Sequence, residues 1–229
     1  MVRFSGLALG SLLAVAQAAP LETRQVTCAT GNGLYILVAR GSNQPEGEGT
    51  VGPVANLVEA KVAGSYSQGI DYPASIIALD SNYITSVVDG IEDTKKKIQD
   101  YVAACGADSR IALIGYSQGG NVMTDTLAGG TGKPDAIDEQ YRRNIIGVAV
   151  FGDPRFNAGQ PYSRGTSTRD GIFARKSSLA ALGTWSKVLA SYCDENDPSC
   201  ASGLDLEVHF EVVSKYAQQA ADFIVELAQ

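Results

Sequence analysis

An apolar run, Ile111-Ala112-Leu113-Ile114, leads straight into Gly115-Tyr116-Ser117-Gln118-Gly119, which leads into residues able to form a helix. No other stretch narrows the choice of fold as much. A strand that becomes a helix within two residues pushes the serine between them above the sheet edge. G-x-S-x-G in that setting marks a nucleophile rather than an ordinary turn serine. The flanking glycines leave room for the neighbouring strand, the helix and an incoming acyl group. The N–H of the following residue, Gln118, points where an oxyanion would form.

The rest of the chain repeats the theme. Leu34-Tyr35-Ile36-Leu37-Val38-Ala39 reads as a buried strand, residues 54–62 as helix, and residues 76–79 as a short strand or the end of one. Residues 86–104 place Val87, Val88, Ile91, Ile98, Tyr101 and Val102 on one helical face and Lys95-Lys96-Lys97 outward. Helix resumes at 121–127 and closes at Gly129-Gly130, residues 145–151 form another strand, and the chain ends in a long helix bearing Val213, Tyr216, Ala220, Phe223 and Leu227. Residues 157–178, the least regular stretch, read as a surface excursion. Short continuous apolar strands alternating with amphipathic helices predict a mostly parallel sheet with helices on both faces.

Arg3, an apolar stretch from Leu7 to Val15 and Ala16-Gln17-Ala18 before Ala19-Pro20 have the layout of a secretory signal peptide over residues 1–18. Residues 19–27 then form a short N-terminal or pro-segment with Arg24 as a candidate cleavage point, and residues 28–229 a single domain. The formal charge is −7, and loss of the signal removes only Arg3. Such an acidic surface argues against nucleic acid and anionic membranes as partners. An extracellular location makes the four cysteines a disulfide framework. Cys193 and Cys200 flank a turn-rich stretch, so local pairing is economical and leaves Cys28 with Cys105. No cysteine spacing fits zinc and the chain has one histidine, so no metal or cofactor is expected.

A serine nucleophile needs a base, and His209 is the sole histidine. It follows the serine in sequence and is expected just before the final helix, in the chain order Ser, acid, His. The acid candidates between them include Asp153, Asp170, Asp194, Glu195, Asp197 and Asp205. Asp197 is favoured because a small Cys193–Cys200 loop would hold its carboxylate against the imidazole. Spacing alone does not separate it from Asp194, and Asp153 is the rival on position. Ser42, in Ala39-Arg40-Gly41-Ser42 after the first strand, is the candidate second oxyanion donor beside Gln118. Gly47-Glu48-Gly49-Thr50-Val51-Gly52 with Asp71 mimics a dinucleotide fingerprint, but Gln44-Pro45-Glu46 separates it from the strand, so it reads as a surface loop.

Together these residues resemble the cutinase family of secreted fungal serine esterases, which includes cutinases and acetylxylan esterases. The resemblance runs from about Cys28 to the end. It rests on Ala39-Arg40-Gly41-Ser42, the Gly-Tyr-Ser-Gln-Gly elbow and Cys193-Asp194-Glu195-Asn196-Asp197-Pro198-Ser199-Cys200 followed by His209. In that family the acid sits four residues after one cysteine and three before its partner, which falls on Asp197. The resemblance further implies the Cys28–Cys105 and Cys193–Cys200 pairs, an oxyanion hole of Ser42 and Gln118, and a small, lidless α/β-hydrolase with a central five-stranded parallel sheet. Ala-Arg-Gly-Ser resembles the cutinase branch. Asp71-Tyr72-Pro73-Ala74, Phe151-Gly152-Asp153-Pro154-Arg155 and Ser191-Tyr192-Cys193-Asp194 resemble the acetylxylan branch.

The expectation is a secreted, monomeric serine esterase acting on cutin-type polyester or short acyl esters, or alternatively deacetylating xylan. Acyl selectivity is expected from apolar loops at residues 79–84 and 179–188. The rivals of another class are a non-catalytic surface-binding protein, which would not need Ser117, Asp197 and His209 together, and a nucleotide binder using the Gly47 loop.

Overall fold

The computed structural model describes Met1, residues 26–76 and residues 82–229. Apart from Met1, the expected signal peptide lies outside the described residues. So do most of the 19–27 segment, residues 77–79 of the expected short strand and residues 79–81 of the expected rim.

Six strands among the described residues form one sheet: β1 Tyr35–Ala39, β2 Tyr66–Gly69, β3 Ile111–Tyr116, β4 Ile145–Phe151, β5 Ser163–Arg164 and β6 Leu189–Tyr192. Their order is β2-β1-β3-β4-β6-β5, and every pair is parallel. The five-stranded expectation is therefore one short. The sixth, β5, has only two residues, paired at the edge as Ser163 with Ser191 and Arg164 with Tyr192. A polar dipeptide carries no apolar period to reveal it. A strand not expected from the sequence, Tyr66-Ser67-Gln68-Gly69, lies half-buried at the opposite edge. Ile76 itself is not in a strand.

Helices α1 Gly52–Glu59, α2 Tyr83–Cys105, α3 Gln118–Ala128, α4 Leu179–Gly183 and α5 Leu206–Leu227 cover both faces. The period of two along β1 divides the core. Tyr35, Leu37 and Ala39 point into a cluster with α2 and α3 residues such as Val87, Ile91, Val122 and Leu127. Ile36 and Val38 point oppositely, into a cluster with Val54 and Val58 of α1 and Val212, Ala220 and Ile224 of α5. Both faces are dry, which is why these strands read as unbroken apolar runs.

Residues 157–178 are not merely a surface excursion. They contain β5, and the buried Arg175 anchors them beneath α3. Its guanidinium lies 2.7 Å from Asp125 Oδ1, donates to Thr124 Oγ at 2.7 Å and donates to the Gly129 carbonyl at 3.1 Å. Arg155 approaches the same carboxylate oxygen at 3.0 Å, so two cations share one buried acid. Removing one partner of such a group leaves an uncompensated buried charge.

Disulfides join Cys28 to Cys105 and Cys193 to Cys200. The first clamps the N-terminal arm to the end of α2 across 77 residues. Replacing both of its cysteines by serine is predicted to lower the unfolding free energy by about 4–5 kcal/mol through loop-closure entropy. Urea unfolding of the double variant against the parent measures it, and an unchanged midpoint would refute it.

Candidate active site

The C-terminal ends of the parallel strands gather the chemistry. β3 turns into α3 at Ser117, whose backbone has φ 54° and ψ −118°, a conformation that costs a non-glycine residue strain. Neighbours hold it there. The Ser117 N–H donates to the Phe151 carbonyl at the end of β4, at 2.7 Å. A Cβ on Gly119 would stand 2.1 Å from the Ala39 carbonyl oxygen, so only glycine lets α3 start against β1.

His209 lies inside the first turn of α5, not ahead of the helix as its neighbours suggest. Its Nε2 is 3.0 Å from Ser117 Oγ, and its Nδ1 is 2.8 Å from Asp197 Oδ2. A carboxylate only accepts, so Nδ1 carries the proton and Nε2 is left to accept from the serine hydroxyl. Asp197 is fully buried, and its other oxygen accepts the N–H groups of Ser199 at 2.7 Å and Cys200 at 2.9 Å. The Cys193–Cys200 disulfide thus closes a loop that wraps one carboxylate oxygen in backbone donors and aims the other at the imidazole.

The other carboxylates have different partners. Asp194 faces away, accepting from Thr166, Tyr216 and Lys215, the last at 2.5 Å. Partial burial pushes its carboxyl up, but the Lys215, Tyr216 and Thr166 donors outweigh that and hold it below its ordinary value. Asp153 accepts the Thr124 hydroxyl at 2.7 Å and the Arg155 N–H at 2.8 Å. Complete burial pushes its carboxyl above the ordinary value despite Arg175 nearby. Asp170 accepts from the Ala158 N–H, Asp205 caps α5 through the Glu207 N–H, and Glu195 is exposed.

The loop after β1 lies against the elbow. Gly41 has no room for a side chain, since a Cβ there would be 2.7 Å from the Tyr116 ring. Ser42 follows it, and among the described residues its hydroxyl and N–H have no hydrogen-bond partner. The Gln118 N–H is the first of α3 and has no helical acceptor. The Gln118 side chain is buried, donating to the Ser75 carbonyl at 2.8 Å and accepting from Ser86 at 3.1 Å.

Three supports went unread in the sequence. Arg40 is buried and donates to the carbonyls of Gln44 at 2.9 Å and Tyr72 at 2.6 Å, and Gln44 Oε1 accepts the Gly41 N–H at 3.0 Å. Both fasten the Ser42 loop. Gly152 is the third: a Cβ there would be 2.8 Å from His209 Cε1. Its sequence signals were a glycine directly after an apolar strand and its place in Phe151-Gly152-Asp153-Pro154-Arg155. The decoy loop forms a 3-10 turn, Gly49–Val51, running into α1, and Asp71 is paired with Lys97 at 2.9 Å. Residues 179–188 lead into the start of β6, at the end of the sheet opposite Ser117, so they form no part of a rim around it. Trp185 there is buried against α3, donating to the Leu127 carbonyl at 3.1 Å.

A parallel sheet with helices on both faces, a strained serine at a strand–helix elbow, and a histidine and buried acid in line with it define an α/β-hydrolase. The cutinase family model, described as "Cutinase", matches residues 30–228. The chain belongs to that family and is a carboxylic ester hydrolase. It is 31% identical over 220 residues to an acetylxylan esterase of Hypocrea jecorina, covering 92% of this chain and 72% of that protein. It is 29% identical over 231 residues to cutinase 11 of Verticillium dahliae, covering 96% and 75%. Among solved structures, the catalytic core domain of acetyl xylan esterase from Trichoderma reesei superposes with a TM-score of 0.77 at 31% identity, covering 88% of this chain and all of that one. An acetylxylan esterase solved at 0.90 Å gives 0.79 at 27% identity, covering 89% of this chain.

Gly152 combines φ 59° with the imidazole contact. Gly152→Ala is predicted to reduce kcat for a soluble ester about a hundredfold by displacing His209, with a stability loss of about 1–2 kcal/mol. Steady-state kinetics beside thermal unfolding test it, and an unaltered kcat would refute it.

Proposed function

We propose that Ser117, His209 and Asp197 are a catalytic triad, with Ser42 and Gln118 as the oxyanion hole, and that the protein is a secreted esterase of apolar, surface-presented esters such as cutin-type polyester. His209 Nε2 takes the Ser117 proton as Oγ attacks the ester carbonyl. The imidazolium is held by Asp197, and the oxyanion accepts from the Gln118 N–H and from Ser42. Collapse breaks the bond from the tetrahedral carbon to the leaving oxygen, which takes the proton from His209 Nε2 and departs as the alcohol. Water, deprotonated by the same nitrogen, then frees the acid from the acyl-enzyme. The observation that carries the reading is the hydrogen-bonded line from Ser117 Oγ through His209 to Asp197, at 3.0 and 2.8 Å.

The preference for an apolar substrate rests on where large apolar side chains reach solvent. Leu204 is 97% exposed, Phe210 66%, Ile84 59% and Leu206 58%, with Ile172 and Phe173 also open. All but Ile84 can be traced to the triad through chain neighbours or successive contacts. Leu204 and Leu206 stand between Asp197 and His209, and Phe210 follows His209. Ile172 N–H donates to the Ser199 carbonyl. The Phe173 ring lies 5.9 Å from that of Tyr83, whose hydroxyl reaches Asn121 in α3. An apolar rim about a catalytic serine marks contact with an apolar surface. Two disulfides and an N-terminal leader pattern support secretion. The similarity to acetylxylan esterases favours a second reading, deacetylation of xylan.

Ser117→Ala is expected to abolish labelling by an organophosphate ester and to lower turnover about 10⁴-fold or more; retained labelling would end the triad reading. A p-nitrophenyl series from acetyl to long acyl, run beside polyester and acetylated xylan, separates the two substrates. The double variant Leu204→Asp, Leu206→Asp should lower the polyester-to-acetate turnover ratio about tenfold. An unchanged ratio with efficient xylan deacetylation would favour the second reading.

A further inference from the structure

We propose that Tyr116, the residue before the elbow serine, is a positioning residue that sets the spacing between the oxyanion loop and the imidazole; this rests on the triad reading above. Tyr116 is the last residue of β3 and is buried. One edge of its ring faces Gly41, where a Cβ would come within 2.7 Å of Cδ1 and 2.8 Å of Cε1. The Ser42 loop therefore lies directly on the ring. The imidazole of His209 lies on the ring as well, with centroids 5.1 Å apart and planes tilted by 32°. The hydroxyl completes the tie, donating to the backbone carbonyl of His209 at 3.1 Å.

One side chain thus touches both halves of the machinery that flank Ser117. The Ser42 loop and the base come from opposite ends of the chain, and no hydrogen bond joins the two among the described residues. The ring acts as their spacer. It also faces the imidazole when the latter becomes positive, and a cation within about 6 Å of an aromatic centroid is attracted by the ring quadrupole. That attraction exists only while His209 holds the proton, so it favours the transition state over the ground state. Asp197 serves the same cation from the other side of the imidazole edge, through Nδ1.

Gly41 makes the idea testable. Its φ lies outside the left-handed region, so alanine is tolerated by the backbone and meets strain chiefly from the Tyr116 ring. If Tyr116 is the spacer, Gly41→Ala should harm catalysis by displacing that ring, and the harm should vanish once the ring is gone. Gly41→Ala, Tyr116→Leu, Tyr116→Phe and the Gly41→Ala, Tyr116→Leu pair are compared on a soluble ester, with thermal unfolding of each and Ser117→Ala as control. The expected result is a kcat loss of about tenfold for Gly41→Ala and about thirtyfold for Tyr116→Leu, with KM within about twofold. Tyr116→Phe keeps the ring and should recover to within about threefold of the parent. In the Tyr116→Leu background, Gly41→Ala should change kcat by less than about twofold. A parental kcat for Gly41→Ala, effects that multiply in the double variant, or a loss carried by KM would each overturn the proposal. Should Tyr116→Leu not fold, Gly41→Ala decides it alone, since it must lower kcat about tenfold and leave KM in place, while Tyr116→Phe must stay within about threefold of the parent. Turnover surviving in Ser117→Ala would count against the triad reading, not against the spacing role in particular.

Discussion

Everything at this site depends on Ser117 being held at φ 54°. A serine there is strained by about 1–3 kcal/mol, and it persists only where the surroundings over-determine it. They do so here from three strands. β3 delivers the residue, β4 accepts its N–H through Phe151, and β1 leaves no space for anything but Gly119 two residues later. Parallel pairing is what brings the three strand ends level. In register, Ala39 pairs with Gly115 and Tyr116 with Phe151, so β1, β3 and β4 end within one residue of the same height. The dry core on both faces then fixes that height, because slipping any strand by one residue would turn its apolar set to the wrong side.

The base and acid arrive by a different route, and their rigidity has a different origin. Asp197 sits in an eight-residue loop closed by Cys193 and Cys200, and backbone N–H groups hold its orientation. His209 is held by a helix that packs along the sheet for its whole length, with Val212, Ala220 and Ile224 in the core. Gly152 keeps the space between them open. The positive φ of Gly152 and that of Ser117 occur at the ends of adjacent strands, so the serine and the imidazole meet across neighbouring turns.

How much of this could be read from residues alone followed the strength of the local physics. β1, β3 and β4 announced themselves because burial on two faces demands continuous apolar runs. β2 and β5 did not, since edge strands of Tyr-Ser-Gln-Gly and Ser-Arg owe their conformation to neighbours rather than to their own side chains. His209 was singled out by being alone, but its helix starts earlier than expected. Asp205, a capping residue four positions before His209, supplies the start signal through the Glu207 N–H. Asp194 and Asp197 were inseparable by spacing, for the loop that distinguishes them depends on which way each carboxylate turns. Arg175 looked like part of a surface loop because an arginine is usually exposed; only the fold shows two buried carboxylates, Asp125 and Asp153, around Thr124 to receive it.

The expected rim shows where such reading must stop. Residues 179–188 are apolar enough to line a substrate path, yet they lie at the far end of the sheet and are used to cover α3. The exposed apolar side chains proposed in their place, Leu204, Leu206, Phe210, Ile84 and Phe173, come from three segments with no common pattern. They are exposed and sit on the turns that follow or precede the buried machinery. Their replacement leaves the elbow, the acid loop and the α5 core untouched, because none of those buries the rim side chains. Chemistry and substrate choice are therefore held by separate sets of atoms: the first by backbone geometry and buried contacts, the second by solvent-facing side chains. A family built this way can keep one ester-cleaving centre while its surface moves between acetylated polysaccharide and apolar polymer.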